Sequence, residues 1–171
     1  RLPNLFYVKM VNTYFSHNKK SVSHECSSHG KCKGAITVTG AQMLFFKKCI
    51  FINNTALKGG VAFLQNVKNS YFIACKFINN TASMEQRSRK SFGGALYIMR
   101  SSSLFHLCFF NNSVAGRAGA AVYAVECLGI LFNSCHFSNN LIPYNMMIVQ
   151  YGALDLTAKQ VQLTHCIFIK N

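Results

Sequence analysis

The sequence predicts an all-β chain wound as a single-stranded parallel β-helix, a right-handed solenoid of about six turns. Three observations in the 171 residues carry this. A Phe-x-x-Asn motif recurs at Phe15/Asn18, Phe51/Asn54, Phe77/Asn80, Phe109/Asn112, Phe137/Asn140 and Phe168/Asn171. A small Gly/Ala pair ahead of an apolar residue recurs at Gly34-Ala35-Ile36, Gly59-Gly60-Val61, Gly93-Gly94-Ala95-Leu96, Gly119-Ala120-Ala121-Val122 and Gly152-Ala153-Leu154. A cysteine stands just before five of the six phenylalanines, at Cys49, Cys75, Cys108, Cys135 and Cys166. Successive phenylalanines lie 36, 26, 32, 28 and 31 residues apart, so the unit is about 26 residues long and some copies carry inserts.

The content of one unit decides for strands over helices. Its apolar runs are short, rich in Phe and Ile, and broken by Asn, Gly and Ser, whereas a helical repeat needs longer runs of 3.6-residue periodicity. In Ala74-Cys75-Lys76-Phe77-Ile78 the cysteine and phenylalanine share one face and Lys76 takes the other. Cys and Phe therefore point inward. Turns stacked at roughly 4.8 Å place Phe15, Phe51, Phe77, Phe109, Phe137 and Phe168 in one core ladder, with the five cysteines beside them as small apolar fillers. Cys108 lies one residue closer to its phenylalanine than the others do, so Phe110 competes with Phe109 for the inward place.

Phe-x-x-Asn paired with Gly-Gly-Ala-Ile-like segments resembles the repeat of the chlamydial polymorphic outer-membrane proteins and of related surface β-helix proteins. The likeness runs from Phe15 to Asn171. It implies a β-helical fold, a surface location and adhesion. The autotransporter members of that family end in a membrane barrel, which this chain does not show.

In chain order, residues 1–171 read as one domain: an atypical first turn and a cysteine-containing loop over 1–33, then regular repeats over 34–171. The first turn, Leu5 to Val11 and Tyr14-Phe15, has Thr13 where later copies have cysteine. The loop His24-Glu25-Cys26-Ser27-Ser28-His29-Gly30-Lys31-Cys32 holds two cysteines six apart. A Cys26–Cys32 disulfide is its first reading, a zinc site from two His and two Cys the second, and free thiols the third. In the column, neighbouring side chains run parallel and slightly too far apart for disulfides, which makes these cysteines buried thiols. An apolar phenylalanine ladder offers them no converging ligands for a metal wire, so neither metal nor cofactor is expected.

Asn53-Asn54-Thr55, Asn79-Asn80-Thr81 and Asn111-Asn112-Ser113 make N-glycosylation sequons on Asn53, Asn79 and Asn111. Asn139-Asn140-Leu141 keeps the pair without the sequon, so the asparagines also have a structural use: Asn tolerates left-handed geometry, and its amides stack along a solenoid. Of the two inserts, Ser83 to Phe92 is basic, with Arg87, Arg89 and Lys90 as an anion-binding loop. The other, Leu141 to Tyr151, is apolar and aromatic and calls for a packing partner.

Eighteen Lys and Arg against Glu25, Glu85, Glu126 and Asp155 give a net charge of +14, which favours acidic polysaccharide as a partner. A nucleic-acid partner is not expected, and no apolar run is long enough for a transmembrane segment. The four acids are scattered, which argues against the paired carboxylates of polysaccharide-cleaving β-helices and against an enzyme. Beginning at Arg1 instead of Met, the chain reads as a processed or partial secreted product. It stops inside a repeat at Cys166-Ile167-Phe168-Ile169-Lys170-Asn171, an uncapped strand edge. These features suggest an extracellular, N-glycosylated structural protein whose subunits self-associate into a filament or surface layer. The alternative is a cell-surface adhesin segment that binds acidic glycans.

Overall fold

The computed structural model describes residues 7–19, 34–82, 91–143 and 152–171. All regular structure among them is β, and every strand pairing is parallel. The strands stack into three faces of a solenoid. The first face holds β3 (Ile36–Thr39), β7 (Ala62–Gln65), β11 (Leu96–Met99) and the opening residues of β14 (Val122–Asn133) and β16 (Leu154–Thr164). The second holds β1 (Tyr7–Val11), β4 (Met43–Lys47), β8 (Asn69–Ile73), β12 (Ser102–His106) and the closing residues of β14 and β16. The third holds β2 (Tyr14–Ser16), β5 (Ile50–Ile52), β9 (Lys76–Ile78), β13 (Phe109–Asn111), β15 (His136–Ser138) and β17 (Ile167–Ile169). Two short strands, β6 (Thr55–Ala56) and β10 (Thr81–Ala82), pair beyond the third face.

The corners explain why strands so short can close a coil. A residue with positive φ turns the chain between the second and third faces at Asn12, Lys48, Ala74, Leu107, Ser134 and His165. Another turns it after the third face at His17, Asn53, Asn79, Asn112, Asn139 and Lys170. Between the first and second faces the residue is Gly40, Asn66, Arg100 or Glu126. One left-handed residue bends the chain sharply onto the next face without lengthening the loop, at a cost that asparagine and glycine bear most easily.

Two phenylalanine ladders fill the interior. On the third face Phe15, Phe51, Phe77, Phe110, Phe137 and Phe168 stack with ring centroids 4.5 to 5.0 Å apart. The expected member Phe109 is displaced from this ladder: it pairs with Lys76 and His136 on the outer surface, and Phe110 takes the inward place. The reason is register. Phe110 keeps the two-residue distance from Cys108 that the other phenylalanines keep from their cysteines, and alternation along β13 then turns Phe109 outward. The second ladder, on the second face, is Phe46, Phe72, Phe105 and Phe132, at 4.7 to 5.0 Å. The ladders meet edge to face, as between Phe72 and Phe77 at 5.8 Å and 60°, a geometry favoured by the ring quadrupoles.

The paired asparagines have divided duties. In Asn53-Asn54, Asn79-Asn80 and Asn139-Asn140 the first turns the corner, and the second is buried and builds an amide ladder. Asn54 Nδ2 donates to Asn80 Oδ1 at 3.1 Å and to the Phe15 carbonyl at 3.2 Å. Asn140 Nδ2 donates to Asn171 Oδ1 at 2.8 Å and to the Phe110 carbonyl at 3.1 Å. The one-residue shift at Phe110 puts Ser113, not Asn112, in this ladder, where its Oγ is buried without a hydrogen-bond partner among the described residues.

Candidate functional site

Outward positions of the second face form a shallow groove of about 320 Å³, lined chiefly by Asn69, Tyr71, Ser102, Leu104, Gly129 and Gln160. Strand register assembles it. Asn69, Ser102, Gly129 and Gln160 fall in one column, and Tyr71, Leu104 and Leu131 in the next outward one. Gly129 makes the hollow, since a Cβ there would touch only the end of Leu131. The exposed Leu128 forms one lip.

The groove combines amides, hydroxyls, a phenol and leucines, and its lining contains no carboxylate, histidine or cysteine. Cations flank it. Lys68 and Lys159 are the exposed neighbours of Asn69 and Gln160. Below Tyr71 lie Phe45, 6.4 Å from it ring to ring, then Lys9 in register with Phe45, and Lys47 at the end of the same strand. Of the two described acids, Glu126 is held by Arg100 at 2.6 Å on the corner, and Asp155 lies in register with Tyr123 on the first face. Burial raises the pKa of Asp155. No sequence motif marks the groove, because its residues come from four coils and its main column, Asn69, Ser102, Gly129 and Gln160, repeats no residue type.

The sequon asparagines do not fall in one column. Asn53 and Asn79 turn corners and share theirs with Asn112, whose Nδ2 donates to Asn79 Oδ1 at 3.1 Å. Asn111 ends β13 one position earlier, its Oδ1 accepting from Ser138 Oγ at 3.0 Å and from Asn139 Nδ2 at 3.3 Å. The shift that turned Phe109 outward also moved Asn111 off the corner column that Asn53 and Asn79 occupy. The Cys26–Cys32 loop with its zinc alternative, Arg87, Arg89 and Lys90, and residues 144–151 of the apolar insert lie outside the described residues.

The five column cysteines are free thiols, with Cys49, Cys75, Cys108 and Cys135 buried and Cys166 half-buried. Each Sγ donates to the carbonyl two residues before it and to a carbonyl of the preceding coil. For Cys75 these are Ile73 and Phe46, both at 3.5 Å, and for Cys135 they are Asn133 and Phe105, both at 3.5 Å. Burial pushes Cys108 well above the usual thiol range, and its hydrogen bonds with Cys135 and Cys75 push the same way. Hydrogen bonding from Cys108 lowers Cys75 and Cys135, with burial opposing. A sixth described thiol, Cys127, sits apart, at the corner between the first and second faces.

Three stacked parallel faces closed by left-handed corners define a β-helical solenoid. The family model described as right handed beta helix region matches residues 8–171, and the chain belongs to that family. No curated protein and no solved structure matches it.

Proposed function

We propose that this chain is a non-enzymatic, extracellular β-helix that holds an acidic glycan along the outer second face, in the manner of a surface adhesin. The observation that carries this reading is the groove itself. It offers Asn69, Ser102 and Gln160 for hydroxyl and carboxylate recognition and Tyr71 with the leucines for a sugar's apolar face, and it is flanked by Lys9, Lys47, Lys68 and Lys159. Its lining holds no carboxylate, histidine or cysteine for general acid–base work, which favours holding a polysaccharide over cleaving one. The resemblance to the chlamydial polymorphic outer-membrane repeat and the sequons at Asn53, Asn79 and Asn111 support a surface location.

The test is titration of the purified chain with an acidic and a neutral polysaccharide at two salt concentrations. Gly129→Phe should fill the groove and abolish binding at both. Lys9→Glu with Lys68→Glu should weaken binding mainly at low salt. Equal binding by all variants would overturn the assignment.

A second reading, a structural protein whose subunits stack into a fibre, is favoured by the half-exposed rung of Ile167, Phe168 and Ile169. A further coil would cover it, whether from more of the same chain or from a second copy.

A further inference from the structure

We propose that the cysteine column is a linear binding ladder for soft monovalent d10 cations, copper(I) or silver(I), one cation in each interval between successive thiols. The sulfurs repeat with the coil. Each occupies the same place in its turn, each donates to two equivalent carbonyls, and the phenylalanines two residues further on are spaced 4.5 to 5.0 Å. Two metal–sulfur bonds of about 2.3 Å laid end to end span about 4.6 Å, which is this interval. Thiolate is the ligand that selects such cations over hard ones.

Among the described residues no three His, Cys, Asp or Glu side chains converge on a metal position. That rules against tetrahedral sites built from these side chains, but a two-coordinate cation needs only the sulfur above it and the sulfur below.

Charge decides the loading. An isolated bis-thiolate of a monovalent cation would bury a net negative charge, at a large desolvation cost. A continuous ladder avoids this. Cys49, Cys75, Cys108, Cys135 and Cys166 bound four intervals, so four cations enter, four S–H bonds break, and four protons leave to solvent. Each inner sulfur then bridges two cations, one terminal sulfur keeps its proton, and the column stays neutral with no change of oxidation state. Half-buried Cys166 provides the entry. Thr13, which stands below Cys49 and shapes its acidity, ends the ladder with a hard oxygen.

The probe is silver(I) nitrate titrated into the chain carrying Cys26→Ser, Cys32→Ser and Cys127→Ala, read by native mass spectrometry and by protons released in a pH-stat. The expected result is four silver ions and four protons, with the β-sheet circular dichroism retained. Cys108→Ala leaves two separated pairs, and silver should fall from four to two. Cys166→Ala removes one end interval and should give three, which keeps the test decisive if the Cys108 variant fails to fold. Five ions in the parent with four in either variant would mean independent thiol binding and overturn the ladder, as would loss of the sheet signal on loading.

Discussion

Phe77 and Phe110 stack with ring centroids 4.5 Å apart and planes 3° from parallel, across an insert that makes their coil longer than its neighbours. Thirty-three residues separate them, yet the register on either side is unbroken. Phe110→Ala should therefore cost about 3 to 5 kcal/mol, the usual loss for a buried phenylalanine. Phe109, half-buried and edge-on to His136 at 5.0 Å, should cost only about 1 kcal/mol when truncated. Urea unfolding of the two single variants checks the pair, and equal losses would return Phe109 to the core.

The amide ladder has a gap at Ser113, whose hydroxyl is buried and unpartnered between Asn80 and Asn140. Ser113 donates its backbone N–H to Asn140 Oδ1 at 3.0 Å, but its side chain is too short to accept one in turn from Asn80. An asparagine there reaches both neighbours, as Asn54 does two coils below, donating to Asn80 and accepting from Asn18. Ser113→Asn should stabilise the fold by about 1 kcal/mol, the net worth of one added hydrogen bond. A thermal melt that drops instead would show that the serine coil has closed over the missing volume.

How much of this could be read from the residues depends on whether a feature repeats within one coil or is assembled across several. The solenoid, its inward cysteines and most of the third-face ladder follow from the spacing of Phe and Cys. The second ladder was legible as well, because Phe46, Phe72, Phe105 and Phe132 each stand three residues before a column cysteine. Phe-x-x-Cys-x-Phe is thus the full motif, and applied to Cys108 it selects Phe110. Reading Phe-x-x-Asn alone tied the register to an asparagine that had moved. The groove was not legible, since Asn69, Ser102, Gly129 and Gln160 share a column but no chemistry, and only strand register brings them together.

Leu107 turns the corner before Cys108 with φ 54°, and its side chain is 55% exposed. A left-handed leucine carries a steric cost that asparagine largely escapes, as at Asn12 in the same corner column. Leu107→Asn should raise stability by about 1 kcal/mol, whereas the β-branched Leu107→Val should lower it. Opposite signs in chemical denaturation are the signature. A loss with asparagine would mean that the exposed leucine contributes packing that its exposure conceals.

Tyr97 lies between Phe63 at 5.0 Å and Tyr123 at 5.1 Å, and it is only 7% exposed. Burial pushes its phenol up to about 12, with the nearby Tyr123, Glu126 and Cys127 adding to the effect. The folded state thus holds this proton to a higher pH than the unfolded chain, whose tyrosine titrates near 10. Above that value the unfolded state binds fewer protons, so stability falls as pH rises from 10 to 12, by about 2 kcal/mol at the upper end. Tyr97→Phe should flatten this part of the profile and leave any loss that begins near pH 9, where the raised thiols Cys49, Cys108 and Cys127 contribute, in place. Urea midpoints at pH 8, 10 and 12 measure it, and identical curves for parent and variant would assign the alkaline loss elsewhere.

Gly94 and Gly152 occupy equivalent places at the entry to the first face, yet they should respond to alanine in opposite ways. Coil stacking puts Gly94 under the carbonyl oxygen of Ala120 and against the backbone of Val114, so an added Cβ meets main chain that has no freedom to move aside. A Cβ added at Gly152 meets nothing within 4 Å among the described residues, and its φ is not positive. Ala120 stands between the two in the same column and shows that the backbone conformation itself accepts a side chain. Gly94→Ala should therefore destabilise by roughly 2 to 3 kcal/mol through overpacking against fixed neighbours. Gly152→Ala should be stabilising by about 0.5 kcal/mol, because alanine restricts the unfolded chain more than glycine does. Unfolding free energies of the two variants decide it. If Gly94→Ala were as stable as the parent, the coils would have to separate locally, and the spacing that sets both phenylalanine ladders would not be as rigid as their regular stacking implies.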